Sequence, residues 1–150
     1  MIYSVLFILF LLIVVYVVLL IGRPAVIGGN NAGGSVDIHV QEPWYTEIES
    51  GRKTIEGRSG NVHKYTQMIG NYIVISSGKK SCRKKVIAIR TYDTLEEFID
   101  KEGWKNMAPQ LLSKEQTTQA YLNVQSKEGV HIFSPSEVQR KGGMIAIEFE

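Results

Sequence analysis

The sequence predicts an α+β fold, a small barrel or curled sheet with short flanking helices, preceded by one N-terminal transmembrane helix. One apolar block from Met1 to Ile21, in which only Ser4 is clearly polar, indicates the membrane helix. Short strand patterns that alternate with short capped helices indicate the α+β domain. The connections are too short for repeated strand-helix-strand crossovers, which argues against a doubly wound parallel sheet.

The apolar block has the length of a membrane anchor. Twenty-one helical residues span about 31 Å, close to the thickness of the hydrocarbon core of a bilayer. No Lys or Arg precedes Arg23, and the block is longer than the apolar part of a cleaved signal peptide. Since Arg23 follows the block, the positive-inside rule favours a cytoplasmic C-terminal domain. We therefore expect a single-pass membrane protein anchored by residues 1–22.

The rest of the chain divides into a linker and one domain. Residues 23–35 are rich in Gly and Asn but lack the spacing of phosphate-binding loops, so they are interpreted as a flexible linker. Residues 36–150 form the folded domain, which we expect to be a monomer. Its single cysteine, Cys82, excludes an intramolecular disulfide, and its three histidines are scattered, so no metal and no cofactor are expected.

The first half of the domain carries strand patterns and one short helix. Alternating apolar residues over 36–40 predict a half-buried strand. Residues 43–50 predict a two-turn helix that stops at Gly51. Residues 53–58 should be extended, and residues 71–76 and 82–90 should pair as a hairpin around a turn at 77–81.

The second half carries three helix starts and a final strand. Three capping boxes begin with a Ser or Thr followed three residues later by Glu or Gln. They predict helices from Thr94 to about Gly103, from Ser113 to about Val124 and from Ser134 to about Gly142. Residues 144–149 predict a closing strand.

Charge is strongly segregated along the chain, although the net charge is only +2. Residues 23–51 have a net charge of −3, residues 52–90 of +9 and residues 91–150 of −4. A basic sheet region of this kind favours binding to phosphates. Two other interpretations stay open: a merely solvated hairpin tip, and contact with anionic lipid.

A family resemblance rests on the segment that follows the first predicted helix. The run Gly51-Arg52-Lys53-Thr54-Ile55-Glu56-Gly57-Arg58, with Trp44 upstream and the Ser134 helix and closing strand downstream, resembles the ASCH domain of the PUA-like superfamily. The resemblance covers about residues 36–150. It implies a PUA-like β-barrel with flanking helices and a cleft, in which related domains bind RNA or single-stranded DNA or act on modified nucleosides.

The motif supplies candidate binding residues. In an extended segment alternate side chains share a face, so Glu56 and Arg58 should lie together with Thr54, and Lys53 should point away. Arg58 suits a phosphate or a base edge, Glu56 suits a base amino group, and Trp44 suits stacking on a base. Lys53, Thr54 and the hairpin residue Lys84 complete the predicted nucleic-acid site. The alternative is that Glu56 pairs with Arg58 and that Trp44 belongs to the core.

An enzymatic alternative follows from the same resemblance. Some small bacterial ASCH proteins resemble amidohydrolases that act on acylated nucleosides such as N4-acetylcytidine, with Lys, Thr and Glu in the catalytic roles. Lys53 stands at the position of their Lys, but Glu56 occupies the position of their nucleophilic Thr. Lys53 and Glu56 are thus the catalytic candidates, and the sequence favours a binding protein for RNA, single-stranded nucleic acid or a nucleotide-like ligand.

Overall fold

A computed structural model describes residues 36–150 of the chain. The predicted anchor at residues 1–22 and the predicted linker at residues 23–35 lie outside these residues. The helices and strands of the described part, in chain order, are β1 (Asp37–His39), α1 (Trp44–Glu49), β2 (Ile55–Ser59), α2 (His63–Thr66), β3 (Tyr72–Ser77), β4 (Lys80–Tyr92), α3 (Leu95–Glu102), α4 (Trp104–Met107), α5 (Lys114–Leu122), α6 (Pro135–Lys141) and β5 (Met144–Phe149).

One mixed five-stranded sheet organises the domain, in the order β1-β3-β4-β5-β2. β1 runs parallel to β3, and the other neighbouring strands are antiparallel. The predicted hairpin is present, but its turn is shorter than expected because Gly78 adopts a positive φ of 58° and lets β4 begin at Lys80. In this strand order, β1 and β2 are the two edge strands of the sheet.

β5 is buried on both faces and separates two hydrophobic clusters. Ile145, Ile147 and Phe149 pack into the cluster beneath β1, β3 and α1, while Met144 and Ala146 pack into the cluster beneath α3 and α6. This double burial explains why the strand is nearly continuously apolar rather than alternating. The sheet thus has helices on both sides of its β5 and β2 end.

The predicted helix starts are confirmed. The hydroxyls of Thr94, Ser113 and Ser134 each accept a hydrogen bond from the backbone N–H three residues later. The one-turn helices α2 and α4 were not predicted, because four residues are too few to show a helical period.

The predicted fold class and localisation require correction. Within residues 36–150 the β1 and β2 edges are not joined by a strand ladder, so the sheet is open where a barrel would close. None of the helices in this part combines the length and apolar character needed to cross a bilayer. On these findings the fold is a mixed α+β fold with a five-stranded sheet, and the single-pass membrane localisation with its membrane partner is not supported.

Candidate functional site

A pocket occupies the gap between the two edge strands. Its cavity volume is about 160 Å³, and we call it the seam pocket. β1 and the segment after it supply one side, β2 supplies the floor, and α5 and the segment before α6 supply the other side. The lining residues are His39, Val40, Gln41, Trp44, Lys53, Glu56, Gly57, Arg58, Met107, Ala120, Tyr121, Val124, Ile132 and Phe133.

Lys53 is a buried cation at the base of the pocket, with a residue exposure of 2%. Its ammonium group donates to the carbonyl oxygens of Ile55 and Met107, both at 2.7 Å, and lies 3.1 Å from Glu56 Oε2. These three acceptors match the three N–H donors of a lysine. Burial lowers the pKa of Lys53, and the Glu56 carboxylate opposes that shift. Lys53 therefore ties β2 to α4 and holds the Glu56 side chain in place.

Glu56 and Arg58 lie on the same face of β2, as the alternation predicts. Glu56 Oε1 is 2.9 Å from Arg58 Nη2, so the carboxylate bridges two cations. Arg58 Nη2 also donates to the His39 carbonyl oxygen at 2.9 Å. A side chain thus spans the gap in which a β1–β2 ladder would close a barrel.

The Arg58 guanidinium has one buried N–H group, at Nε, that is not used in these contacts. Its Nε atom is buried and has no hydrogen-bond partner among residues 36–150. A buried donor without an acceptor costs free energy, about 1–3 kcal/mol, unless a water molecule or a ligand satisfies it. Arg58 lines the pocket, and its Nε is a donor that the rest of residues 36–150 leaves unsatisfied.

Trp44 contributes to both the pocket and the core. It begins α1, packs partly against the first hydrophobic cluster and also lines the pocket. The Lys53 ammonium lies 5.7 Å from the centre of its ring. Trp44 therefore occupies both of the positions that the sequence offered as alternatives, because it lines the pocket and also packs against the core.

The wall opposite Trp44 depends on a glycine. Gly57 lets the Tyr121 ring of α5 lie directly on β2, since a Cβ at position 57 would be 2.7 Å from the Tyr121 hydroxyl oxygen and 2.9 Å from Phe98 Cε1. Burial raises the pKa of Tyr121. Together with Phe133, which stacks edge-on against Tyr121 at 5.1 Å, it forms an apolar wall.

Two predicted site residues lie elsewhere. Thr54 does not line the pocket; its backbone bonds to Asn106 and Phe149 and joins β2 to its neighbours. Lys84 of β4 pairs with Ile73 of β3 and also lies outside the pocket. Lys53 does face Glu56, contrary to the predicted alternation, because β2 begins only at Ile55.

The pocket also contains residues that sequence reasoning missed. His39, Gln41, Tyr121 and Phe133 come from segments separated by up to about ninety positions, and no motif connects them. Gly57 was the one available indication, because a glycine inside a strand often marks a close approach.

The basic region is less uniformly positive than its composition implies. Six of its ten cations form ion pairs with carboxylates: Arg52, Lys53, Arg58, Lys80, Lys85 and Arg90. Within residues 36–150 the other four have no such pair: Lys64, Lys79, Arg83 and Lys84. The unpaired positive charge is therefore confined to α2, the hairpin turn and β4.

The lining of the pocket differs from the catalytic set of the amidohydrolases. Among its lining residues only Tyr121 carries a side-chain hydroxyl, and position 56 holds a carboxylate where the amidohydrolases have their nucleophilic Thr. The donors of Lys53 are already engaged, which opposes a role as general base. Within residues 36–150, no group of three His, Cys, Asp or Glu side chains is arranged to hold a metal ion.

The chain is similar to proteins of known structure. The chain is similar to the crystal structure of hypothetical protein PH0355, with 30% identity, a TM-score of 0.61, and 78% of this chain and 98% of that chain covered. It is also similar to the solution NMR structure of protein PF0455 from Pyrococcus furiosus, with 28% identity, a TM-score of 0.55, and 78% and 96% covered. No curated protein matches the chain.

The family model gives the assignment directly. The model of the ASCH domain matches residues 38–150, nearly all of the described residues. ASCH domains have a PUA-like fold and are often linked to RNA binding. The match confirms the resemblance carried by the motif around Lys53, Glu56 and Arg58. The chain belongs to the ASCH domain family.

Proposed function

We propose that this ASCH domain binds single-stranded RNA, or a similar single strand, by receiving one unpaired base in the seam pocket. The observation that carries the proposal is the buried, unpartnered Nε of Arg58, which lies beside the Glu56 carboxylate in the pocket wall. A nucleobase edge offers acceptors and donors side by side, which is what this pair of groups would recognise.

The size and lining of the pocket suit one aromatic ring. Its volume of about 160 Å³ is close to the roughly 150 Å³ of an engineered protein cavity that binds benzene. Tyr121 and Phe133 supply an apolar wall, and Trp44 supplies an aromatic surface on the other side. A flat ring with polar edges would therefore be held between apolar walls.

The polar wall has free capacity for such an edge. Arg58 Nε would donate to a ring nitrogen or carbonyl oxygen of the base. Each Glu56 oxygen accepts from one cation, and a carboxylate offers about four lone-pair sites, so Glu56 can still accept from a base amino or imino group. Lys53 fixes Glu56 from below, which orients the wall before a ligand arrives.

An unpaired base is required by this geometry. Bases within a duplex are stacked and paired, so their edges and faces do not reach a pocket between two strands. Sequence-specific recognition of RNA generally uses single-stranded loops, bulges and ends for this reason. The association of ASCH domains with RNA agrees with this choice.

The test is the binding of fluorescently labelled single-stranded RNA, single-stranded DNA and duplex, measured by anisotropy at several salt concentrations. We expect single strands to bind and duplex to bind more weakly. Arg58→Ala should weaken single-strand binding by roughly 10-fold or more. The matched control is Arg140→Ala, which removes an exposed arginine that pairs with Glu137 on α6.

Two results would overturn the proposal. One is equal binding of single strands by the wild type and by Arg58→Ala, with both proteins folded. The other is the absence of binding to any polymer; release of acetate from N4-acetylcytidine by the same protein would then support the amidohydrolase alternative.

A further inference from the structure

A patch that combines an exposed tyrosine with two cations lies on the outward side of the sheet. On β3 the odd-numbered residues Ile73 and Ile75 are buried, so Tyr72 and Val74 point outward. On β4 their antiparallel partners Lys85 and Arg83 point outward as well. We call these four residues, Tyr72, Val74, Arg83 and Lys85, the β3–β4 face.

The centre of the β3–β4 face is a stack of an arginine on a tyrosine. The Arg83 guanidinium lies 4.9 Å from the centre of the Tyr72 ring, and Tyr72 is 51% exposed. Arg83 has no carboxylate partner within residues 36–150. A large aromatic ring left in water, with a free cation held over it, is the combination on which unpaired bases stack.

We propose that the β3–β4 face is a second contact surface for the nucleic-acid strand whose unpaired base enters the seam pocket. The inference rests on the proposed function, since it concerns the path of the same strand. One neighbouring base stacks on Tyr72 and Arg83, and the adjoining phosphates lie near the positive charges of Arg83 and Lys85. The occupant is single-stranded, because a paired base has no free ring face.

The spacing between the two surfaces suits a short oligonucleotide. His39 lines the pocket and pairs in register with Ser76 of β3, four residues along the strand from Tyr72. Four residues of strand and one interstrand step place the backbones of His39 and Tyr72 roughly 14 Å apart. A mononucleotide in the pocket does not reach the β3–β4 face, whereas a strand of several nucleotides does.

Charge along this path is mixed, because Glu150 pairs with Lys85 at 3.4 Å and Asp37 of β1 lies beside Val74. Within residues 36–150 the cation of the face without a carboxylate partner is Arg83, which lies over the exposed ring of Tyr72. That ring is a stacking surface, which a simple electrostatic contact with lipid headgroups does not require.

The test compares two uridine RNAs of different length on the full-length protein. One is a dinucleotide, which reaches only the pocket, and the other has about ten nucleotides, within the site size of a small single-strand-binding domain. Tyr72→Ala should weaken binding of the longer RNA by roughly 5- to 150-fold and leave dinucleotide binding unchanged. Tyr72→Phe, which keeps the ring, should bind both RNAs like the wild type.

Arg83→Gln gives an independent reading of the same surface. Removing one phosphate contact should lower the slope of log affinity against log salt by about 0.7 for the longer RNA. Lys127→Gln is the matched control, since Lys127 lies in the turn between α5 and α6 and not on the β3–β4 face. Its salt slope should equal that of the wild type.

The outcomes separate the inference from the proposed function. If the longer RNA binds through Arg58 but Tyr72→Ala and Arg83→Gln match the wild type, the inference fails and the proposed function stands. If neither RNA binds, the proposed function itself fails. If Tyr72→Ala loses binding to phosphatidylserine vesicles while its RNA binding is unchanged, the β3–β4 face is a lipid surface and the inference is overturned.

Discussion

The seam pocket and the β3–β4 face each contain two cations, but the cations are placed in opposite ways. In the pocket, Lys53 and Arg58 share one carboxylate, and Lys53 is almost completely buried. On the β3–β4 face, Arg83 is exposed and contacts an aromatic ring rather than a carboxylate. In the seam pocket, Lys and Arg are held in fixed positions away from water. On the β3–β4 face, Arg83 is solvated and acts mainly through its charge.

The contrast shows what a count of charges leaves out. Buried, paired charges act through direction and distance, so losing one partner exposes the full desolvation cost of the other. Exposed, unpaired charges act nearly additively and are screened by salt. We expect substitutions in the pocket to alter stability and selectivity, and substitutions on the β3–β4 face to alter affinity and its dependence on salt.

The largest expected effect is on stability, from Lys53→Met. The change leaves Glu56 with one cation instead of two and leaves the carbonyls of Ile55 and Met107 without their donor. Breaking a buried ion pair in this way costs about 3–5 kcal/mol of unfolding free energy. The measurement is urea unfolding, with Arg83→Met on the exposed β3–β4 face as the control, for which we expect a change below about 1 kcal/mol. Equal effects of the two substitutions would contradict the view that buried charge in the seam pocket contributes more to stability than exposed charge on the β3–β4 face.

The next effect concerns the close approach at the pocket floor. Gly57→Ala places a Cβ 2.7 Å from the Tyr121 hydroxyl oxygen and 2.8 Å from its Cε1. Overpacking of this kind costs about 1–3 kcal/mol. The same substitution in a Tyr121→Leu background should cost less, because one of the two clashing rings, Tyr121 and Phe98, is gone. A double-mutant cycle measures the difference, and strict additivity would show that the contact with Tyr121 does not explain the glycine.

A third comparison sets Arg58 against Arg83 in RNA binding. Arg58→Ala should lower affinity by about 1–3 kcal/mol and reduce discrimination between bases, because it removes a base-edge contact. Arg83→Ala should lower affinity for all sequences alike and reduce the salt slope by about 0.7. Competition with four homopolymer single strands at several salt concentrations measures both quantities. The account would be contradicted if Arg58→Ala lowered affinity for all sequences alike and Arg83→Ala reduced discrimination between bases.

The smallest effect is a pH dependence of the Lys53 contribution. Because burial lowers the pKa of Lys53, the unfolded chain binds more protons than the folded chain between that lowered pKa and the ordinary value of about 10.4. Stability from this group therefore rises with pH in that window. The difference in unfolding free energy between the wild type and Lys53→Met should widen as pH rises towards about 10. Other titrating groups cancel in this difference, so a constant or narrowing gap would contradict the account.

Local rules predicted the parts of the fold that depend on neighbouring residues. The caps at Thr94, Ser113 and Ser134, the hairpin and the closing strand all follow from short patterns, and all are present. The turn at Gly78 was predicted too long, because composition does not show where pairing stops. The open edge between β1 and β2 was not predicted, because these strands are distant from each other in the sheet order and no local pattern shows whether two distant edges pair.

The site was predicted only as far as the motif extends. Lys53, Glu56 and Arg58 are close in sequence and meet in the pocket, as does Trp44. Tyr121 and Phe133 reach it from distant segments that no local pattern connects with the motif. The pair of Glu56 and Arg58 was considered from the sequence as an alternative. The pairing of the other five basic residues was hidden, since partners such as Glu102, Glu148 and Glu150 lie beyond the basic region.

The most direct test of the seam pocket uses Trp44 as its own reporter. The chain has two tryptophans, Trp44 and Trp104, so Trp104→Phe leaves Trp44 as the single emitter. Titration with single-stranded RNA should quench Trp44 fluorescence saturably, at the same concentrations at which anisotropy reports binding, and duplex should not. Binding seen by anisotropy without any change in Trp44 emission would place the base outside the pocket and contradict the central claim.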